Sequence, residues 1–128
     1  PVTIATDDTL LTTRLPLPLA LITPALFTCT NDAAPYATAI TGPVNIVKPY
    51  KRITVSLTGA TNTIQYRVLG YCEASTYARP IVLVTDVVLA AGANAYEVID
   101  MPLMAIDVQV KDNVAATHGA VTVDIIMG

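Results

Sequence analysis

Charged side chains are scarce in this chain. They make up 13% of its 128 residues, about half of the ~25% usual in globular proteins. A single domain of this length has much surface for its volume and ordinarily clothes it in Lys, Glu, Asp and Arg. Here Thr and Ala take many of those places and hydrophobic residues reach 53%. An apolar surface of that extent aggregates when bare, so the composition predicts that other subunits cover part of it. Basic residues are also few: Lys and Arg number seven against ten acids, for a net charge of −3. Only Lys48, Lys51 and Arg52 cluster. A nucleic-acid binder neutralises phosphates with a basic face, and the sequence offers none, so no nucleic-acid partner is expected.

Tryptophan is missing and Phe27 is the lone phenylalanine, which argues against the flat aromatic platforms of sugar-binding sandwiches. The single histidine, His118, precedes Gly119 in a turn-like stretch. A catalytic triad or zinc site needs an oriented or accompanied histidine, and the spacing requires neither Asp112 nor Asp124 to be its partner. His118 therefore reads as a loop contact. Cys29 and Cys72 have no C-x-x-C spacing and read as small apolar residues whose pairing the sequence does not decide. Of the carboxylates, Glu73 and Glu97 lie in no recognisable cleft, and Asp32, Asp86, Asp100 and Asp112 sit beside turns. Phosphate-binding glycine loops and a nucleophile elbow are missing from the sequence. No catalytic, cofactor-binding or metal-binding residue is assigned, and the chain reads as a non-enzyme without cofactors.

Long apolar runs are interrupted too. Pro16, Pro18 and Pro24 break the stretch from Leu15 to Phe27, so a spanning helix is not expected and neither is a membrane partner. That stretch follows Asp7 and Asp8 without a basic lead-in, unlike a secretory signal. Pro1 looks like the residue left after an initiator Met is trimmed, and the chain is expected to be made and used without export.

What is present is alternation. Pro49-Tyr50-Lys51-Arg52-Ile53-Thr54-Val55-Ser56-Leu57 and Pro102-Leu103-Met104-Ala105-Ile106-Asp107-Val108-Gln109-Val110 share one pattern: a proline, then an apolar/polar run. Each is followed by small or polar turn residues and a second alternating run, which predicts two strand hairpins with one buried face. Ile53, Val55 and Leu57 should face inward with Ile64, Tyr66 and Val68, and Ile106, Val108 and Val110 with Val121, Val123 and Ile125. Strands are expected near 26–30, 36–40, 44–48, 50–58, 63–71, 80–88, 95–99, 103–111 and 119–127. The fold class is all-β: an antiparallel, jelly-roll-like β-sandwich over 26–128, preceded by an extended arm over 1–25.

The arm is extended because alternating prolines in Leu15-Pro16-Leu17-Pro18-Leu19 prevent a helix. Leu15, Leu17 and Leu19 then need a groove on this domain or a neighbour. Ile81-Val82-Leu83-Val84 and Val87-Val88-Leu89 are apolar on both faces, which fits a strand covered twice or one at a subunit interface, and the low charge favours the interface. Tyrosine is enriched at interfaces. The expected contact residues are Leu15, Leu17, Leu19, Val82, Val84, Tyr77 and His118.

The closing segment, Ile106-Asp107-Val108-Gln109-Val110-Lys111 followed by Val114-Ala115-Ala116-Thr117-His118-Gly119-Ala120-Val121-Thr122-Val123 and ending at Gly128, resembles the last hairpin of small β-sandwich structural proteins of tailed bacteriophages, the class that includes head decoration or cement proteins. The resemblance covers roughly the last quarter of the chain. It implies a virion component, made in the host cytoplasm, that forms a homo-oligomer such as a trimer or ring. Such a subunit would fasten to the major capsid protein or other virion subunits through its arm. The alternatives are a tail, neck or fibre subunit, a hydrolase with His118 within reach of an acid, and a glycan-binding fibre module with Tyr71, Tyr77 or Tyr96 lining one groove.

Overall fold

The computed structural model describes residues 20–29, 36–38, 43–46, 52–73, 76–113 and 118–128. Within them lie nine strands: β1 (Ala20–Thr28), β2 (Ala37–Thr38), β3 (Val44–Asn45), β4 (Ile53–Thr58), β5 (Ile64–Tyr71), β6 (Ile81–Leu89), β7 (Ala95–Ile99), β8 (Ala105–Asp112) and β9 (Ala120–Met127). One sheet has the order β1-β9-β4-β7, the other β2-β8-β5-β6 with β3 also paired to β8. All the pairings are antiparallel. This is a β-sandwich with the strand order of a jelly roll, the fold class that the alternation implies.

The core sits between the sheets. All twelve side chains expected to face inward on β4, β5, β8 and β9 are buried, because a strand that alternates with period two can hide one face while the other meets solvent. Each such Val, Leu or Ile contributes about 1.5–3 kcal/mol through burial. Leu103, Ile46, Leu89, Ile99 and Met127 extend the same cluster.

The two expected hairpins do not form. β4 pairs with β9 and β7, whereas β5 pairs with β8 and β6, so successive strands of each alternating run lie in opposite sheets. The repeated halves interlock: the first strand of one pairs with the second strand of the other. Alternation specifies which face of a strand is buried and leaves its in-plane neighbour open. A connection such as 59–63 is as able to cross the ~10 Å between sheets as to turn back within one.

β1 begins at Ala20, so Ala20, Leu21, Ile22 and Ala25 of the expected arm pair with β9, from Ala20↔Met127 onward. The register shifts between Ile22 and Ala25, around Pro24, which has no N–H to give to the ladder. A proline is tolerated there because β1 is an edge strand. Residues 1–19 of the arm, with Leu15, Leu17 and Leu19, lie outside the described residues.

Candidate assembly surface

β6 is not a central strand. It ends its sheet, paired with β5 on one side only among the described strands. The next strand, β7, ends the other sheet, and the two touch where the chain turns from one sheet to the other through Gly92, whose φ of 78° suits a residue without a Cβ. Among the described strands, one flank of the sandwich therefore carries two consecutive open edges. Apolar side chains stand out along them: Val82 is 53% exposed and Val88 55% on β6, Tyr96 64% and Val98 57% on β7, while Leu26 on the opposite edge of the β7 sheet is 69% exposed. Ordinary chains guard such edges with charges, prolines or bulges. Here the protection is partial: two register shifts along β6 and a left-handed backbone at Asp86 (φ 30°) bend the edge without charging most of it.

The phase of β7 explains why Tyr96 and Val98 face outward. Glu97 and Ile99 point toward the interior, and the Tyr66 hydroxyl on β5 donates to Glu97 Oε1 at 2.5 Å. This bond joins the two sheets across the core. Burial, then the Glu97 carboxylate, push the Tyr66 phenol above its ordinary range, so it stays a donor. With period two, an inward Glu97 commits both neighbours to solvent.

The outer face of the β2-β8-β5-β6 sheet is instead polar and internally bonded. The Tyr36 hydroxyl donates to Asp86 Oδ1 at 2.6 Å, and its ring lies under the Arg67 guanidinium at 4.3 Å and the Lys111 ammonium at 4.7 Å. Arg67 Nε donates to Gln109 Oε1 at 2.7 Å, and Gln109 Nε2 and Thr38 Oγ1 donate to Asp107 Oδ2 at 2.8 and 3.3 Å. Alternation with inward Ile106 and Val108 puts Asp107 on the outer side of β8, yet it is buried, with Oδ1 unpartnered. Desolvation raises its pKa above the usual carboxylate range despite those donors.

At one end of the sandwich, Asp112 is a fully buried hub. Its Oδ2 lies 3.0 Å from His118 Nδ1, and its Oδ1 accepts from the Gly119 amide at 3.1 Å. The Cys29 amide donates to the Gly119 carbonyl at 2.7 Å, and Asn62 Nδ2 to the His118 carbonyl at 2.5 Å. These bonds tie the ends of β1, β8 and β9 together. His118 is thus within reach of an acid, as the hydrolase alternative requires. The thiol in the same cluster is the reverse of an activated nucleophile: burial first, and then the Asp112 carboxylate, push Cys29 up to about 12. Among the described residues, no group of three or more His, Cys, Asp or Glu could hold a metal ion, and no helix is long and apolar enough to cross a membrane.

The expected contact residues are dispersed. Val82 is on the exposed β6 edge, whereas Val84 is half-buried, opposite Val68, and packs on the core. Tyr77 is half-buried against Leu69, Tyr71 and Ala105, near the Tyr71 end of β5. His118 bonds to Asp112, which pairs with Ile64 at the other end of that strand. Tyr71 and Tyr77 meet edge to face at 5.4 Å, and Tyr71 is buried. Tyr96 belongs to the other sheet, so the three tyrosines do not line one groove. Leu26 and Val98 escaped the sequence reading. Glu97 is the reason at β7: a lone acid in Tyr96-Glu97-Val98 suggests a solvent-facing glutamate and inward neighbours, the opposite of what Tyr66 imposes.

No family model matches this chain, and no curated protein does. Among solved structures it is similar to a chain from work on Bacillus endospore appendages, described as a novel family of disulfide-linked pili, at 16% identity with a TM-score of 0.49, over 85% of this chain and 87% of that one.

Proposed function

We propose that this chain is a structural subunit that assembles with copies of itself, and that the open β6/β7 flank and the outer face of the β1-β9-β4-β7 sheet are its contact surfaces. The observation that carries the reading is the exposure of Val82, Val88, Tyr96, Val98 and Leu26 on strands that end their sheets, in a chain with 13% charged residues. Burying such side chains between copies gains about 25 cal/mol per Å² of apolar area, repeated at every contact. The polar face across the sandwich is satisfied within itself by the Tyr36, Arg67, Gln109 and Asp107 bonds. In its finer form the reading is a virion decoration or cement subunit, a trimer or ring seated on a capsid shell. The resemblance of the closing segment and the low charge support that form, and a tail, neck or fibre position draws on the same support.

Light scattering on the full chain at micromolar concentration tests the assembly reading. A defined oligomer is expected, and Val98→Lys, which places a charge on the exposed face without touching the core, should lower its mass. A clean monomer across that range would remove the reading.

A further inference from the structure

We propose that residues 15–19 of one copy add a short strand to the free edge of β6, beside Ile81 and Val82, in a second copy. This rests on the assembly reading and names the contact. In an extended strand, alternate residues direct their N–H and C=O groups to opposite edges, and their side chains to opposite faces. Pro16 and Pro18 therefore place both missing donors on one edge of Leu15-Pro16-Leu17-Pro18-Leu19, while Leu15, Leu17 and Leu19 keep every N–H and C=O on the other. Such a segment pairs on one side only and ends whatever sheet it joins. It also gathers its three leucines on one face. β6 offers the complement: an edge unpaired among the described strands, with exposed Ile81 and Val82. The register shifts between Val82 and Val84, and again between Val84 and Val87, so the regular part of the edge at that end is confined to Ile81 and Val82 and only a short partner fits it.

Chain geometry selects a second copy over the same one. Leu19 is bonded to Ala20, the first residue of β1, so their Cα atoms are ~3.8 Å apart. β1 and β6 end opposite sheets on opposite flanks. Three strand spacings of ~4.8 Å and a ~10 Å sheet separation put them roughly 17 Å apart. A segment tethered at β1 cannot lie along its own β6 through Leu19. Strand addition of this kind draws affinity from main-chain bonds and specificity from alternate side chains.

The test uses the full chain in a Cys72→Ser background, with Leu17→Cys combined with either Ile81→Cys or Val82→Cys, one on each face of β6. Mild oxidation should link chains into multimers through one of the two pairs, while Leu17→Cys with Leu26→Cys, on the far edge strand, should not. Leu17→Pro, which keeps the residue apolar and removes the central donor, should weaken assembly about tenfold, and Pro18→Ala should leave it intact. If light scattering shows assembly but neither pair links, or Leu17→Pro assembles like the parent, the strand-addition contact is overturned and the assembly reading stands. A monomeric parent overturns both.

Discussion

Replacing Tyr66 by Phe removes a single oxygen from the core, and the structure sets the cost. Tyr66 is 1% exposed, and its hydroxyl is bonded to Glu97 Oε1 at 2.5 Å. A hydrogen bond to a charged group contributes about 1.5–3 kcal/mol, and a partner left unsatisfied in a partly buried place costs about 1–3 kcal/mol. Glu97 is half-buried at an edge strand, where water can reach part of it, so the loss should fall near the lower end, about 1.5 kcal/mol. The ring keeps its packing, so no cavity contribution is added. Urea unfolding of Tyr66→Phe, Glu97→Gln and the double variant gives the coupling directly. A coupling of at least about 1 kcal/mol is expected, with the single variants keeping the parent's dependence on urea. A coupling below ~0.5 kcal/mol, the ordinary error of additivity, would refute the claim that this bond ties the sheets and sets the phase of β7.

A thiol reagent at pH 8 should label Cys72, which is exposed, in the native protein and leave Cys29, buried with its pKa pushed up to about 12, unlabelled until urea unfolds the chain; rapid labelling of both thiols in the native protein would contradict the Asp112 cluster. Gly119→Ala should destabilise by about 1–3 kcal/mol, because its Cβ would stand 2.6 Å from Ile64 Cγ2 and 3.2 Å from the Asn62 carbonyl oxygen. Gly70→Ala should cost less, since its new contacts are the movable side-chain tips of Leu83 and Leu103, and thermal melts would rank the two. Burial raises the Asp107 pKa, so the folded state holds that proton more tightly than the unfolded chain. The resulting stability is complete below the ordinary Asp value and lost as pH rises through the raised one. Asp107→Asn should therefore gain on the parent as pH rises across that window in urea titrations; parallel stability–pH curves would count against it.

The sequence by itself determined the inward faces of β4, β5, β8 and β9, but not the start of β1 at Ala20 or the phase of β7. Period-two alternation is written residue by residue, so Ile53, Val55 and Leu57, or Val121, Val123 and Ile125, identify their buried side without any partner. The doubly apolar β6 also announced itself as a strand with something to cover. Strand pairing was decided only in three dimensions. That β4 lies beside β9 rather than β5 depends on how two sheets share a core, and a short connection between strands permits either outcome. The same holds for the polar groups. Glu97 and Asp107 sit in alternating runs where acids ordinarily meet water, yet Tyr66 draws one inward and neighbouring strands bury the other. Asp112 becomes a hub because the ends of β1, β8 and β9 converge on it, a meeting of residues 29, 112 and 118 that no local spacing encodes. Local chemistry fixes which face of a strand avoids water, and only the packing of all the strands decides which edges are left open to a neighbour.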